Sequence, residues 1–122
     1  MDKLVILIQL VIAFGIFNVW VVRFNKPTAW RGGNATTMVE EFRVYGLSDS
    51  TRSIVGALKL SSAVLLLLGV WIPALAQLAA IVIGALMLAA VYLHFKVADP
   101  IRKSLPAFTM FLLSVAVIIL RS

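Results

Sequence analysis

The sequence contains no cysteine, a single histidine and only five acidic residues in 122 positions. The missing cysteine excludes disulfides, thiol redox catalysis and cysteine-ligated metal. One histidine per chain excludes bis-histidine haem ligation. No zinc-ligand spacing, nucleophile elbow or phosphate-binding glycine loop occurs, and Gly32-Gly33 lacks the Lys-Ser/Thr partner such a loop needs. Charge itself is scarce: 13% of residues are charged, against about 25% in soluble domains. No catalytic residue and no metal site is therefore read from the sequence.

What is abundant is apolar surface. Hydrophobic residues make up 62% of the chain, more than a single soluble domain of this length can hide from water. Four apolar stretches stand out, at 4–22, 53–71, 74–95 and 105–120. Each approaches the roughly 20 residues that cross a bilayer as a helix. The expected fold is an all-α membrane protein, a four-transmembrane-helix bundle forming one domain over residues 1–122. The first stretch exceeds a signal-peptide core and is followed by Val-Val-Arg-Phe instead of small residues, so it reads as a retained span. In the fourth, Pro106 follows Ser104 as a first-turn proline follows a cap; the alternative starts that helix at Pro100, capped by Asp99, with a kink at Pro106.

The links are unequal. Trp71-Ile72-Pro73 is a tight uncharged turn, whereas residues 23–52 form a long link with structure of its own. Thr37-Met-Val-Glu40 matches a capping box, in which each side chain satisfies a free backbone N–H of the other residue. Met38, Phe42 and Tyr45 follow at helical spacing, and Gly46 suits a left-handed cap. These signals predict a short amphipathic helix over about 38–45, on the membrane surface or tucked over the bundle.

The net charge of +6 is distributed for topology and anionic lipid, not for nucleic acid, because no basic cluster lines a polar face. Four spans leave Lys3 and Arg121 on one side, and Arg23, Lys26, Arg31, Arg43, Arg52, Lys96, Arg102 and Lys103 on the other. The positive-inside rule then places the first and third links in the cytoplasm and both termini outside, with a bacterial inner membrane the expected location.

Helices in lipid associate through small residues and polar contacts. Ala76, Ala80 and Gly84 form one such edge, Ala85 and Ala89 a second, and Ser53, Ala57 and Ser61 a third. Gln9 and Gln77 approach the outer face, where each suits a helix-joining hydrogen bond. Trp20 and Trp71 stand near span ends as interfacial aromatics do.

Polar residues within the spans are the leads to function, since burying them in hydrocarbon is costly. Lys59 lies seven residues past Arg52, roughly 10 Å into its helix. It is placed either to snorkel to the interface or to join a polar pocket. Asn18, His94, Tyr92 and Thr109 occupy the same half of their helices, and Ser62 shares a face with Lys59. Glu41 and Asp99 flank the spans. The expectation is a pocket of Lys59, His94, Asn18, Tyr92, Ser62, Thr109, Glu41 and Asp99, with Lys59 paired to a carboxylate of the loop helix.

Met38-Val-Glu-Glu-Phe42, Tyr45-Gly46-Leu47 and Val55-Gly56-Ala-Leu-Lys59-Leu precede a leucine-rich run to Gly69, then Pro73, Met87 and His94. With Lys96-Val-Ala-Asp99-Pro100 and Ser104-Leu-Pro106-Ala, this order resembles the DoxX-like family from about Arg23 to Pro106. The resemblance implies a four-helix membrane fold. The family is named for a small subunit of a quinone-linked sulfur-oxidising complex, and its members are described as accessory or uncharacterised membrane proteins. Where some relatives carry an acidic residue in the second helix, this chain has Lys59.

Three functions follow as expectations. The favoured one is a non-catalytic accessory or assembly subunit that meets a membrane protein partner, or a second copy of itself as a homo-oligomer. The second is a quinone- or lipid-binding component of a membrane oxidoreductase; the residues call for no cofactor, and quinone is the one the pocket would admit. The third is a small transporter or channel, although the carboxylate within a span that small multidrug transporters use is missing here.

Overall fold

The structure, a computed structural model, describes residues 2–122. It is all-helical among those residues. The first helix, α1 (Asp2–Phe17), continues through a π-helical segment, Asn18–Val22. The loop helix α2 (Met38–Val44) follows, then α3 (Asp49–Leu68) and α4 (Pro73–Lys96). A 3-10 turn (Ile101–Ser104) leads into α5 (Leu105–Leu120). Four helical stretches are long and apolar enough to cross a membrane: Lys3–Val22, Asp49–Leu68, Pro73–Lys96 and Ile101–Leu120. They close a ring in which α1 meets α3 and α5, and α4 packs against both of the same neighbours.

Sequence logic accounts for the helix ends. Helix α3 begins four residues before its apolar run, because the Ser48 hydroxyl accepts the Thr51 N–H at 3.1 Å and Arg52 pairs with Asp49 at 2.7 Å. A capping turn is polar by nature, so hydropathy alone starts the helix late. Pro73 opens α4 from the first turn, where its missing N–H costs nothing. Ser104, expected as a cap for α5, has helical dihedrals and makes no capping bond. Its hydroxyl donates instead to the Ile101 carbonyl at 2.8 Å, inside the 3-10 turn. Asp99 does not cap this segment either, since its carboxylate is used elsewhere.

Helix α2 is capped by Thr37, whose hydroxyl accepts the Glu40 N–H at 3.2 Å. The reciprocal arm of the expected box reaches one residue further back. Glu40 takes the N–H of Thr36 at 3.1 Å and its hydroxyl at 3.0 Å, and the Thr36 backbone and side-chain bonds hold this carboxyl below its usual value. At the other end Gly46 adopts φ +79°, Leu47 N–H reaches the Phe42 carbonyl and Gly46 N–H that of Arg43. This double bond pattern is a Schellman ending.

The core runs from the end of the bundle that carries the termini through its centre, and continues to Trp20, Met38 and Phe42 under the first link. Val5, Ile12 and Ile16 of α1 meet Leu66 of α3, Ala76, Ala80 and Ile83 of α4 and Val117 of α5. The edge Ala76–Ala80–Gly84 is buried, whereas Ala85, Ala89, Ser53, Ala57 and Ser61 face outward. Helix α3 instead turns Gly56, Ser62, Ala63 and Leu66 inward. Gly69 permits the tight α3–α4 turn, because a Cβ there would lie 2.7 Å from the backbone of Ala76. Two glutamines join helices: Gln9 donates to the Leu66 carbonyl at 2.8 Å and Gln77 to that of Ile118 at 3.3 Å.

Candidate functional site: a cleft beneath the first and third links

The site begins with a widened turn in the first span. Arg23 N–H bonds to the carbonyl of Asn18 at 2.8 Å, five residues back instead of four. Trp20 within this turn is not an interfacial aromatic, as its sequence position suggested, but is buried against the bundle. Gly56 of α3 makes room for it: a Cβ there would stand 2.8 Å from the indole ring. Phe42 of α2 meets the same indole edge-on, with centroids 5.7 Å apart.

Lys59 lies ten residues into α3, roughly 15 Å from the helix start. Its stem runs inward, and the ammonium sits 5.5 Å from the centroid of the Trp20 ring, a cation–π geometry. The expected ion pair with the loop helix does not form. Glu41 turns to Arg31, 3.6 Å away. It also accepts the Gly32 N–H at 2.6 Å and the Tyr45 hydroxyl at 3.3 Å.

Arg31 is the residue that sequence reasoning missed. Although it lies in a link, it is only 3% exposed. Its guanidinium donates to the carbonyls of Arg23, of Phe24 at 3.3 Å and of Lys26 at 2.9 Å, so one fork gathers the start of the link. Nothing in the local sequence marks Arg31; the one available signal is the carboxylate of Glu41 on the inner side of α2.

A second polar group closes the third link. Helix α4 ends with Ala98 at φ +58°, and Asp99 N–H returns to the His94 carbonyl at 3.0 Å. This turn brings the Asp99 carboxylate to 2.8 Å from His94 Nδ1. Asp99 also accepts the Gly33 N–H at 2.9 Å and lies 3.9 Å from the Lys103 ammonium. Lys103 donates to the Gly33 carbonyl at 2.6 Å, and Lys96 donates to that of Tyr45 at 3.2 Å, at the carbonyl end of α2. His94 Nε2 faces the Tyr45 hydroxyl at 3.4 Å. Glu41, Tyr45, His94 and Asp99 thus form one continuous polar chain. Burial foremost, and then the charges of Glu41 and Asp99, push the Tyr45 phenol well above its usual value, which keeps it a neutral donor.

Around these groups open three cavities that share walls. A mouth of about 460 Å³ is bordered by Asn18, Arg23, Trp30, Arg31, Glu41, His94 and Lys103. An apolar arm of about 340 Å³ runs among Trp20, Phe42, Tyr45, Val55, Lys59, Leu86 and Leu93. A smaller arm of about 140 Å³ passes Gly15, Lys59, Met87 and Met110. Val19 borders all three, and Lys59 borders both arms.

The eight residues expected in a pocket therefore divide. Lys59, His94, Asn18 and Glu41 line the cleft, and Asp99 supports it from behind. Tyr92 borders the apolar arm only at its rim, 65% exposed. Thr109 faces outward on α5, and Ser62 is buried within the bundle away from the cleft lining. Among the described residues no group of three His, Asp or Glu side chains stands within reach of one metal ion.

The fold and cleft define a multi-pass membrane protein with an amphipathic cavity at the polar end of a four-helix bundle. The chain belongs to the DoxX-like family, whose profile matches residues 7–118. That match extends past both ends of the stretch that carries the resemblance in the sequence. No curated protein and no solved structure matches significantly.

Proposed function

We propose that this chain is a non-catalytic accessory component of a membrane complex whose own task is to hold an amphiphilic molecule, a lipid or a quinone, in the cleft. The observation that carries this reading is the placing of a mouth bordered by Arg23, Arg31 and Lys103 next to an apolar arm, the two sharing Val19 and Glu41 as walls. The volumes suit a small ligand, since such sites run from about 300 to 1,000 Å³. The mouth offers hydrogen-bonding groups to a head, and the arms offer apolar walls to a tail.

The basic end is assigned to the cytoplasm, with both termini outside and a bacterial inner membrane as the setting, because eight of eleven Lys and Arg residues lie in the first and third links or in the helix ends beside them. A channel reading gains nothing from the outer half, where Val5, Gln9, Ile12, Leu66 and Ile83 fill the bundle centre.

The test is extraction. Protein purified in mild detergent is expected to release a lipid or quinone in stoichiometric amount, identified by mass spectrometry of the solvent extract. Val19→Phe, which enlarges the side chain that borders all three cavities, is expected to lose it. Equal yields from both proteins, or none from either, would count against the reading.

A further inference from the structure

We infer that the apolar arm is a site for a long-chain carboxylate, with Lys59 as its counter-ion; this deepens, and rests on, the reading of the cleft as an amphiphile site. Several charges at the polar end are paired. Arg31 and Glu41 satisfy one another, Lys103 and His94 both face Asp99, and Arg52 is held by Asp49. Lys59 is left over. Among the described residues no carboxylate lies within ion-pair distance of its ammonium, which stands over the face of Trp20. A cation held in an apolar cavity without a partner is costly, and a bound anion removes that cost.

The headgroup class follows from what else faces the arm. Glu41 borders the same cavity, already holding one negative charge against Arg31. A phosphate monoester, carrying close to two charges, would bring one that Lys59 cannot match beside that carboxylate. A zwitterionic head carries its own cation. An alcohol or ketone leaves the ammonium charge unanswered. A monoanionic carboxylate matches the single ammonium and forms a charge-assisted hydrogen bond. Its chain has two apolar walls to follow, one past Val55, Leu86 and Leu93 and one past Gly15 and Met110.

Trp20 gives the experiment its reporter. The variant Trp30→Phe/Trp71→Phe leaves Trp20 as the sole indole, and bromine on an acyl chain quenches a nearby indole. The protein in neutral-lipid nanodiscs is titrated with a brominated fatty acid, the fatty alcohol of the same chain, and the corresponding alkyl phosphate. The acid is expected to quench Trp20 at an apparent Kd about tenfold or more below that of either other probe, a gap of about 1.4 kcal/mol. Lys59→Met is expected to abolish the preference and Lys59→Arg to keep it. Equal quenching by acid and alcohol in the native-lysine protein overturns the carboxylate inference while leaving an amphiphile site standing. Tighter binding of the alkyl phosphate overturns it as well. Retention of the acid preference in Lys59→Met removes Lys59 from the role. Absence of saturable quenching by all three probes overturns both readings. If Lys59→Met does not fold, the three-probe comparison on the native-lysine protein decides alone.

Discussion

Arg31→Gln tests whether one buried guanidinium organises the polar end. Removing it takes the ion partner from Glu41, whose side chain is 13% exposed, and strips donors from the carbonyls of Arg23, Phe24 and Lys26. Breaking a buried ion pair from one side costs about 3–5 kcal/mol. Here the cost is reduced because Glu41 keeps the Gly32 N–H and the Tyr45 hydroxyl, and the adjoining mouth admits water to the carbonyls. A loss of about 3 kcal/mol is expected for Arg31→Gln, and about 2 kcal/mol for Glu41→Gln. Because each single variant strands the other's charge, the double variant is expected to lose only about 3 kcal/mol, a coupling of about 2 kcal/mol. Arg31→Lys is expected to recover less than half of the loss, since a point charge cannot span three carbonyls and a carboxylate. The assay is equilibrium unfolding in mixed micelles, followed by circular dichroism. Arg31→Gln within about 0.5 kcal/mol of the parent, or additive losses in the double variant, would refute the reasoning.

Two further outcomes are expected. Ala98→Gly relieves a left-handed residue at φ +58° and is expected to raise stability by about 1 kcal/mol in the same assay. Tyr45 has its folded pKa raised above the ordinary value of 10, so its contribution is complete below pH 10 and is lost as pH rises beyond it. The parent is therefore expected to lose up to about 1.4 kcal/mol per pH unit relative to Tyr45→Phe above pH 10, and an identical pH slope for the two proteins would contradict this.

The sequence was informative about depth and poor about direction. Long apolar runs locate four spans, and Thr37 and Gly46 mark the ends of α2, because these signals are local. Thr109, Tyr92 and Ser62 lie at plausible depths, yet one faces outward, one sits at a rim and one is buried away from the cleft. In a helix apolar all round, periodicity does not say which face meets a neighbour. For the same reason the small residues that α3 turns inward are Gly56 and Ala63, not Ala57 and Ser61. The wide turn at Asn18–Val22, which seats Trp20 beneath Lys59, leaves no mark in the hydropathy pattern. Arg31 was illegible for a different reason: its role depends on the path of an irregular loop, which no residue in the loop announces alone.

The hydrogen bonds that hold the first link have a consequence for how the protein is made. Gly33 waits for Asp99 and Lys103, 66 and 70 residues later, and Tyr45 for Lys96, 51 residues later. At about 5–20 residues per second, ribosomal synthesis leaves Gly33 without these partners for roughly 3–14 s. During that interval the first span is already made, while Arg31 and Glu41 have only each other and nearby backbone. The fastening of the first link therefore waits for the third, and the bundle itself closes later still, once α5 and the Arg121 that donates to Gln9 at 2.9 Å have followed.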